Sequence, residues 1–457
     1  MTTAADRHPQ RSALRHAWPV RGATFALAAL LCACGGGDGG NVPPASGGGE
    51  CELAAQKTWL RSYMADWYFW SGRSPDPDPL PFTSLQSYFD ALRFTGDGAV
   101  PRDRWSYISD TAAYNQFFAE GKTLGYGLSV NGIERQLPLR VRYVEALSPA
   151  ARAGLQRGDV VVSLNGRGAA DLVAANDFSA LSPAAAGDTL SVVVDRAGST
   201  ITVALTAEVI TLTPVPVARV LDLAGGRKAG YVVLKDFIPQ AEAGLATAFA
   251  QFRAAGATEL VIDLRYNGGG RISVAATLAS LVAGGAHDGK VFTTLKYNAQ
   301  RQSANVNYPF APAAGPAFTR ALVLTGPRTC SASELLVNGL TPHMQVVTVG
   351  STSCGKPFGF NPVASCGSTY SAVNFEAVNS NQTGRYYDGL VPTCAATDTF
   401  EQDLGAPAES LTSAALGYLN TGACAAVPAA QRKHALATLA VVPGTGEPGE
   451  FRGMVGD

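Results

Sequence analysis

The chain lacks a charge imbalance: 35 basic and 36 acidic residues leave a formal net charge of −1. No global field therefore draws it to nucleic acid or to an anionic membrane surface. It lacks a membrane-spanning run near its start, because the apolar stretch at 23–33 falls well short of the roughly 20 residues a bilayer core requires. Histidine is scarce, at 5 of 457 residues, and no Gly-x-Ser-x-Gly elbow precedes His287, His343 or His434, which weakens a Ser–His hydrolase. No two cysteines stand at zinc-finger spacing with a histidine in register, so neither a metal nor an organic cofactor is expected. Glycine (50) and proline (27) are abundant beside 46% hydrophobic content. That mixture excludes collagen-like and disordered chains and suits two to four globular domains of short strands joined by flexible loops.

Arg7, Arg11, Arg15 and Arg21 precede the apolar stretch, in the order of a secretory signal. It ends Leu31-Cys32-Ala33-Cys34, which resembles a bacterial lipobox and implies that Cys34 is acylated in an exported lipoprotein. Gly35 after Cys34, rather than Asp, points to the outer membrane of the bacterial envelope, facing the periplasm. The membrane is thus expected as a partner through a lipid anchor. Residues 35–50, Gly-rich around Pro43-Pro44, form a tether reaching roughly 20 to 25 Å. Cys51, Cys330, Cys354, Cys366, Cys394 and Cys424 remain, an even number that predicts disulfides in an exported chain. Of the possible pairings, Cys330–Cys354, Cys366–Cys394 and Cys51–Cys424 are expected.

Residues 51–118 read as a small helical module, with Leu53, Trp59, Leu60, Tyr63, Met64, Trp67 and Tyr68 on apolar stripes and a second helix over 83–92. Trp67, Phe69 and Trp70 read as core, with sugar or peptide binding as the alternative. Residues 119–208 alternate as short strands, including an Asn165-Gly166 hairpin signal. From 209 to 425 strands at 231–234, 260–264, 291–297, 321–324 and 346–349 alternate with helices at 241–254, 272–282 and 333–340, which predicts a layered α/β core. The tail at 426–457 holds one weak helix and a Gly/Pro-rich, frayed end.

The run Ser148-Pro149-Ala150-Ala151-Arg152-Ala153-Gly154-Leu155-Gln156-Arg157-Gly158-Asp159-Val160-Val161, followed by Leu164-Asn165-Gly166, closely resembles the PDZ domains of bacterial proteases. The resemblance places Gly125, Tyr126, Gly127 and Leu128 in the loop that holds a peptide C-terminal carboxylate, so protein or peptide substrates are expected to bind by their C-terminus as an added strand. A PDZ fold kept only as a clamp is the alternative.

Leu260-Val261-Ile262-Asp263-Leu264-Arg265-Tyr266-Asn267-Gly268-Gly269-Gly270 resembles the Asp-Leu-Arg-x-Asn-x-Gly-Gly signature of the C-terminal processing, or tail-specific, proteases of peptidase family S41. Thr329-Cys330-Ser331-Ala332-Ser333-Glu334 resembles that family's nucleophile motif, and Thr352-Ser353-Cys354-Gly355-Lys356-Pro357 its general-base loop, 25 residues on. The resemblance implies a multidomain α/β protein whose peptidase core is a layered ββα (ClpP/crotonase-like) fold. It further implies a Ser331/Lys356 dyad with an oxyanion hole built from the N–H of Ala332 and one of Gly269 or Gly270. A lysine accepts a proton only when neutral, which demands an apolar pocket. Ser333 is a candidate helix cap, leaving Ser331 for chemistry. Two departures matter. Pro342 stands where some relatives have Asp, and Phe360 where others have Gln, so the residue orienting Lys356 is open, with Glu334 one candidate. The rivals are a non-catalytic peptide- or ligand-binding lipoprotein and a Ser–His esterase using His343. An activating partner or oligomerisation is left open.

Overall fold

The computed structural model describes residues 51–134, 136–315, 317–436 and 453–456; the expected signal, the Cys34 anchor and the tether lie outside the described residues. Among the described residues no helix is long and apolar enough to cross a membrane. The first module holds α1 (Leu53–Trp67), α2 (Leu85–Leu92), β1 (Tyr107–Asp110) and α3 (Thr111–Phe118). Ser84 starts α2 by accepting the Ser87 N–H, and Asp110 starts α3 by accepting the Ala113 N–H. Leu60, Tyr63, Trp70, Tyr88 and Phe89 do not close a core of their own; they share one with Phe358, Phe360 and Tyr370 of the later chain. Trp67 and Phe69 flank that core half-buried, so the aromatic run serves packing.

The second module comprises β2 (Lys122–Gly125), β3 (Leu128–Val130), β4 (Val141–Val144), α4 (Pro149–Arg152), β5 (Val160–Leu164), β6 (Arg167–Gly168), α5 (Ala169–Ala175), β7 (Thr189–Arg196), β8 (Ser199–Thr206) and β9 (Glu208–Thr211). Ser148 caps α4, its hydroxyl accepting the Ala151 N–H with Pro149 at the first helical position. Asn165 and Gly166 both take positive φ between β5 and β6, the geometry a tight hairpin needs. The module has a core of its own built around Val130, Val141, Leu164, Leu190 and Val192.

The third module contains β10 (Val217–Asp222), β11 (Lys228–Val233), α6 (Ala241–Ala254), β12 (Glu259–Asp263), β13 (Gly269–Arg271), α7 (Ile272–Ala283), β14 (Val291–Tyr297), β15 (Val306–Pro309), β16 (Arg320–Thr325), α8 (Ala332–Leu340), β17 (Gln345–Gly350), β18 (Phe358–Phe360), β19 (Val363–Ser365), β20 (Ser368–Ser371), β21 (Val373–Asn379), β22 (Cys394–Ala395), α9 (Ser410–Thr421), α10 (Ala429–Leu436) and β23 (Gly453–Val455). One sheet runs β10-β11-β12-β16-β17-β22, parallel except for β10; a second runs β13-β23-β18-β21-β14-β15; β1 joins the β19–β20 hairpin. Period-two alternation divides the first sheet: Leu260, Ile262, Ala321 and Val323 pack with α6, α7 and α8, while Val261, Leu322 and Leu324 pack with Leu411, Ala415 and Leu419 of α9. The result is the mixed α/β, multi-sheet architecture expected.

Two expectations need correction. The disulfides are Cys51–Cys366, Cys330–Cys354 and Cys394–Cys424, so the expected Cys366–Cys394 and Cys51–Cys424 pairs are exchanged. The reason is packing: Trp59 of α1 sits 4.9 Å from Tyr370 of β20, which brings Cys51 to the β19–β20 turn. The frayed end is also wrong in part. Gly453–Val455 is a strand with Met454 and Val455 buried, although 437–452 lie outside the described residues.

Candidate active site

The buried strand β12 ends at Asp263 and runs into the glycine turn. Asn267, wholly buried, organises that turn: its amide donates to Leu234 O (2.9 Å), its Oδ1 accepts the Gly269 N–H (2.8 Å), and its backbone O accepts from Cys330 N (3.0 Å) and Ser333 Oγ (3.1 Å). Of the two glycines proposed as oxyanion donors, Gly269 thus has its N–H engaged by Asn267. Gly270 has it turned elsewhere. Phe237 N donates to Gly269 O and Arg271 N donates to Phe237 O, so the alternation of a strand turns the N–H of Gly270 to the opposite side, toward β23. Gly270 tolerates no side chain, since a Cβ would meet Phe237 O at 2.2 Å.

Ser331 is the N-cap of α8, fully buried, with φ 61° and ψ −109°. A non-glycine residue in that region is strained, and such strain marks residues held in place by their surroundings. Its Oγ has no hydrogen-bond partner among the described residues. Ser333, the alternative cap, donates to Asn267 O instead. Ala332 is the first residue of α8, and its N–H, like those of any first turn, has no intrahelical acceptor. The helix's positive end faces Ser331.

Lys356 is buried, with its Nζ 4.0 Å from the centroid of the Phe360 ring. Where relatives carry Gln, this chain therefore sets an aromatic face beside the lysine. Glu334, wholly buried on the first turn of α8, joins the two loops. Its Oε2 accepts both the Ser331 N–H (2.9 Å) and the Lys356 N–H (2.8 Å), and its Oε1 accepts Ser353 Oγ (2.5 Å) and the Gly355 N–H (2.8 Å). Burial pushes the Glu334 carboxyl above its ordinary range, and these four donors oppose the shift. Cys330–Cys354 ties the same loops covalently, one residue before Ser331 and two before Lys356. Cys330, Glu334 and Cys354 form a close cluster, but the disulfide consumes both sulfurs as metal ligands.

A buried ion network that the sequence did not reveal anchors the end of β12. Arg265 pairs with Asp263 and, bidentately, with Glu409 at 2.6 and 2.8 Å, while Tyr231 donates to Asp263 at 2.6 Å. Burial works against Glu409, yet Arg265 and Thr412 hold it down to about 2. Arg157, ahead of β5, reaches the same cluster through Asp398 (2.6 Å) and Tyr266 (2.5 Å). His343 is not in the site: its Nε2 meets Val291 O at 3.0 Å and Ser380 Oγ at 3.3 Å. In the candidate peptide loop, Tyr126 O accepts from Ala150 N and Gly127 O from Glu145 N, with Gly125 closing β2 and Leu128 opening β3. A Cβ at Gly127 would meet the Ser148 side chain at 2.1 Å, which makes that glycine obligatory.

Residues 228–384 match the family model of peptidase family S41, residues 55–107 that of the peptidase S41 N-terminal domain and residues 140–195 that of a PDZ domain. A carboxyl-terminal-processing protease of Picosynechococcus sp. is 32% identical over 143 residues, covering 31% of this chain and 32% of that protein. One of Synechocystis sp. is 26% identical over 244 residues, covering 53% of this chain and 55% of that protein. The similarity thus spans about a third and about half of these curated relatives. A crystal structure from Bacteroides fragilis NCTC 9343, of a protein assigned to the S41 proteases, shares the fold with a TM-score of 0.64 at 24% identity, over 79% of this chain and 96% of that one. In chain order, the matched stretches are thus similar to the peptidase S41 N-terminal domain, to a PDZ domain and to the peptidase S41 domain, and the fold is shared with a protein of that family.

Proposed function

We propose that the chain is a serine endopeptidase that hydrolyses peptide bonds of exported protein substrates with Ser331 as nucleophile and Lys356 as general base. The observation that carries this is the single Glu334 oxygen that accepts the backbone N–H of both residues, which seats a strained serine and a buried lysine side by side. In this mechanism neutral Lys356 takes the Ser331 proton as Oγ adds to the substrate carbonyl. The oxyanion is met by the N–H of Gly270 and of Ala332 at the positive end of α8. Lys356 returns the proton to the leaving amine, and water then releases the acyl-enzyme. The PDZ domain recruits substrates by their C-terminus, through the loop Gly125, Tyr126, Gly127 and Leu128. Three disulfides are in keeping with an oxidising compartment, and Cys34 anchors the enzyme in the bacterial envelope on the periplasmic side.

The test is digestion of an unfolded protein by the purified mature chain beside Ser331→Ala and Lys356→Ala. Wild type cuts, and both variants fall to background while keeping their unfolding temperature. Equal cutting by all three would place the nucleophile elsewhere. An inert wild type would favour the binding-protein rival.

A further inference from the structure

Strand β23 lies between β13, which carries the glycine turn, and β18, which follows Lys356, and pairs in parallel with both. That position borders both the glycine turn and the strand after Lys356. Gly453 is level with Gly269, and Met454 with Gly270. Since Phe237 occupies the other side of β13, the N–H of Gly270 is aimed at the carbonyl of Gly453. Two further contacts fix Gly453 at the reacting groups. The position of a Cβ on Gly269 would lie 3.0 Å from both Gly453 O and Ser331 Cβ, and a Cβ on Gly453 would lie 3.1 Å from Lys356 Nζ. On the far side, Met454 is wholly buried and Gly456 N donates to Phe360 O at 2.8 Å, so the strand is gripped beyond the bond as well as at it.

We propose that Ser331 cleaves the Gly453–Met454 peptide bond of its own chain, so that this strand is the enzyme's first substrate. The proposal rests on the peptidase assignment above. Ser331 Oγ bonds to the Gly453 carbonyl carbon as its proton passes to Lys356. The C–N bond breaks, Met454 N leaves with that proton, and water hydrolyses the Gly453 ester to a carboxylate. Until then the tethered strand competes with outside substrates at an effective concentration in the roughly millimolar range of linked segments. Cleavage releases the segment that begins at Met454 and frees the cleft.

The experiment is intact-mass analysis of the purified wild type over time at two protein concentrations, beside Ser331→Ala, with digestion of an unfolded protein followed in parallel. The expected result is loss of the segment from Met454 onward from wild type alone, at a rate independent of concentration, with a lag in substrate digestion that vanishes in a chain ending at Gly453. Gly453→Val, whose side chain would meet the Phe360 ring at 2.3 Å, should keep its full mass and lose the lag. A wild type that digests unfolded protein yet keeps its full mass overturns the proposal and leaves the peptidase assignment standing. Loss of the segment from Ser331→Ala as well overturns it too, by assigning the cut to another protease. A chain that neither digests substrate nor shortens overturns both.

Discussion

Glu334 does at the scale of one residue what the two loops cannot do for themselves. Ser331 at φ 61° is an unfavourable conformation, and Lys356 sits on a loop with no regular structure before β18. A buried carboxylate accepting four hydrogen bonds from 331 and 353–356 offsets both. Glu334→Gln keeps the volume but has one acceptor oxygen in place of two, so at least one buried donor loses its partner at about 1 to 3 kcal/mol. We expect kcat on a peptide substrate to fall about a hundredfold with KM much less affected, the behaviour of misplaced rather than missing reacting groups. A fall in KM-linked binding alone would assign Glu334 to substrate recognition instead.

Between the loops the Cys330–Cys354 disulfide is a second tie of a different kind. It closes a loop of 24 residues in sequence separation, which on chain-entropy grounds stabilises the fold by about 3 kcal/mol. The Cys330→Ala, Cys354→Ala double variant should therefore unfold at lower urea concentration and with a steeper denaturant slope, since its unfolded chain is no longer held compact by the closed loop, measured by fluorescence of the buried tryptophans. Because Glu334 still bridges the loops, that variant should retain measurable peptidase activity at low temperature. Complete inactivity in a folded double variant would show that the disulfide, not the carboxylate, sets the spacing of Ser331 and Lys356.

At the scale of the whole molecule, Arg265 and Glu409 join the central sheet to α9, and Arg157 brings the PDZ domain to the same cluster. Glu409 is held at about 2 against an ordinary 4.5. A carboxylate depressed in this way stabilises the fold fully above pH 4.5 and loses that contribution as pH falls through about 2. Glu409→Gln should cost about 3 kcal/mol near neutral pH, with the gap from wild type narrowing steadily in urea titrations below pH 4.5. A gap that does not change with pH would mean that packing of the side chain, rather than its charge, matters.

Local pattern was enough for the parts whose signal is local. The alternation of Val261 with Leu260 and Ile262, the Ser148-Pro149 helix start and the Asn165-Gly166 turn each arise from neighbouring residues, and each can be read from the chain. The dyad candidates Ser331 and Lys356 were legible by another route, the resemblance of two short motifs around them to those of peptidase family S41. Other features depend on chain segments far apart, and no periodicity reports them. Cys51 pairs with Cys366 across 315 residues because α1 packs on the β19–β20 hairpin. Glu409 finds Arg265 only once α9 covers the sheet. Gly453–Val455, three residues without helical or strand pattern in a Gly-rich tail, becomes a strand because β13 and β18 each present it an unpaired edge. Backbone hydrogen bonds need no particular side chains, so that pairing, and the approach of Gly453 to Ser331 that comes with it, belongs to the folded chain rather than to any stretch of its sequence.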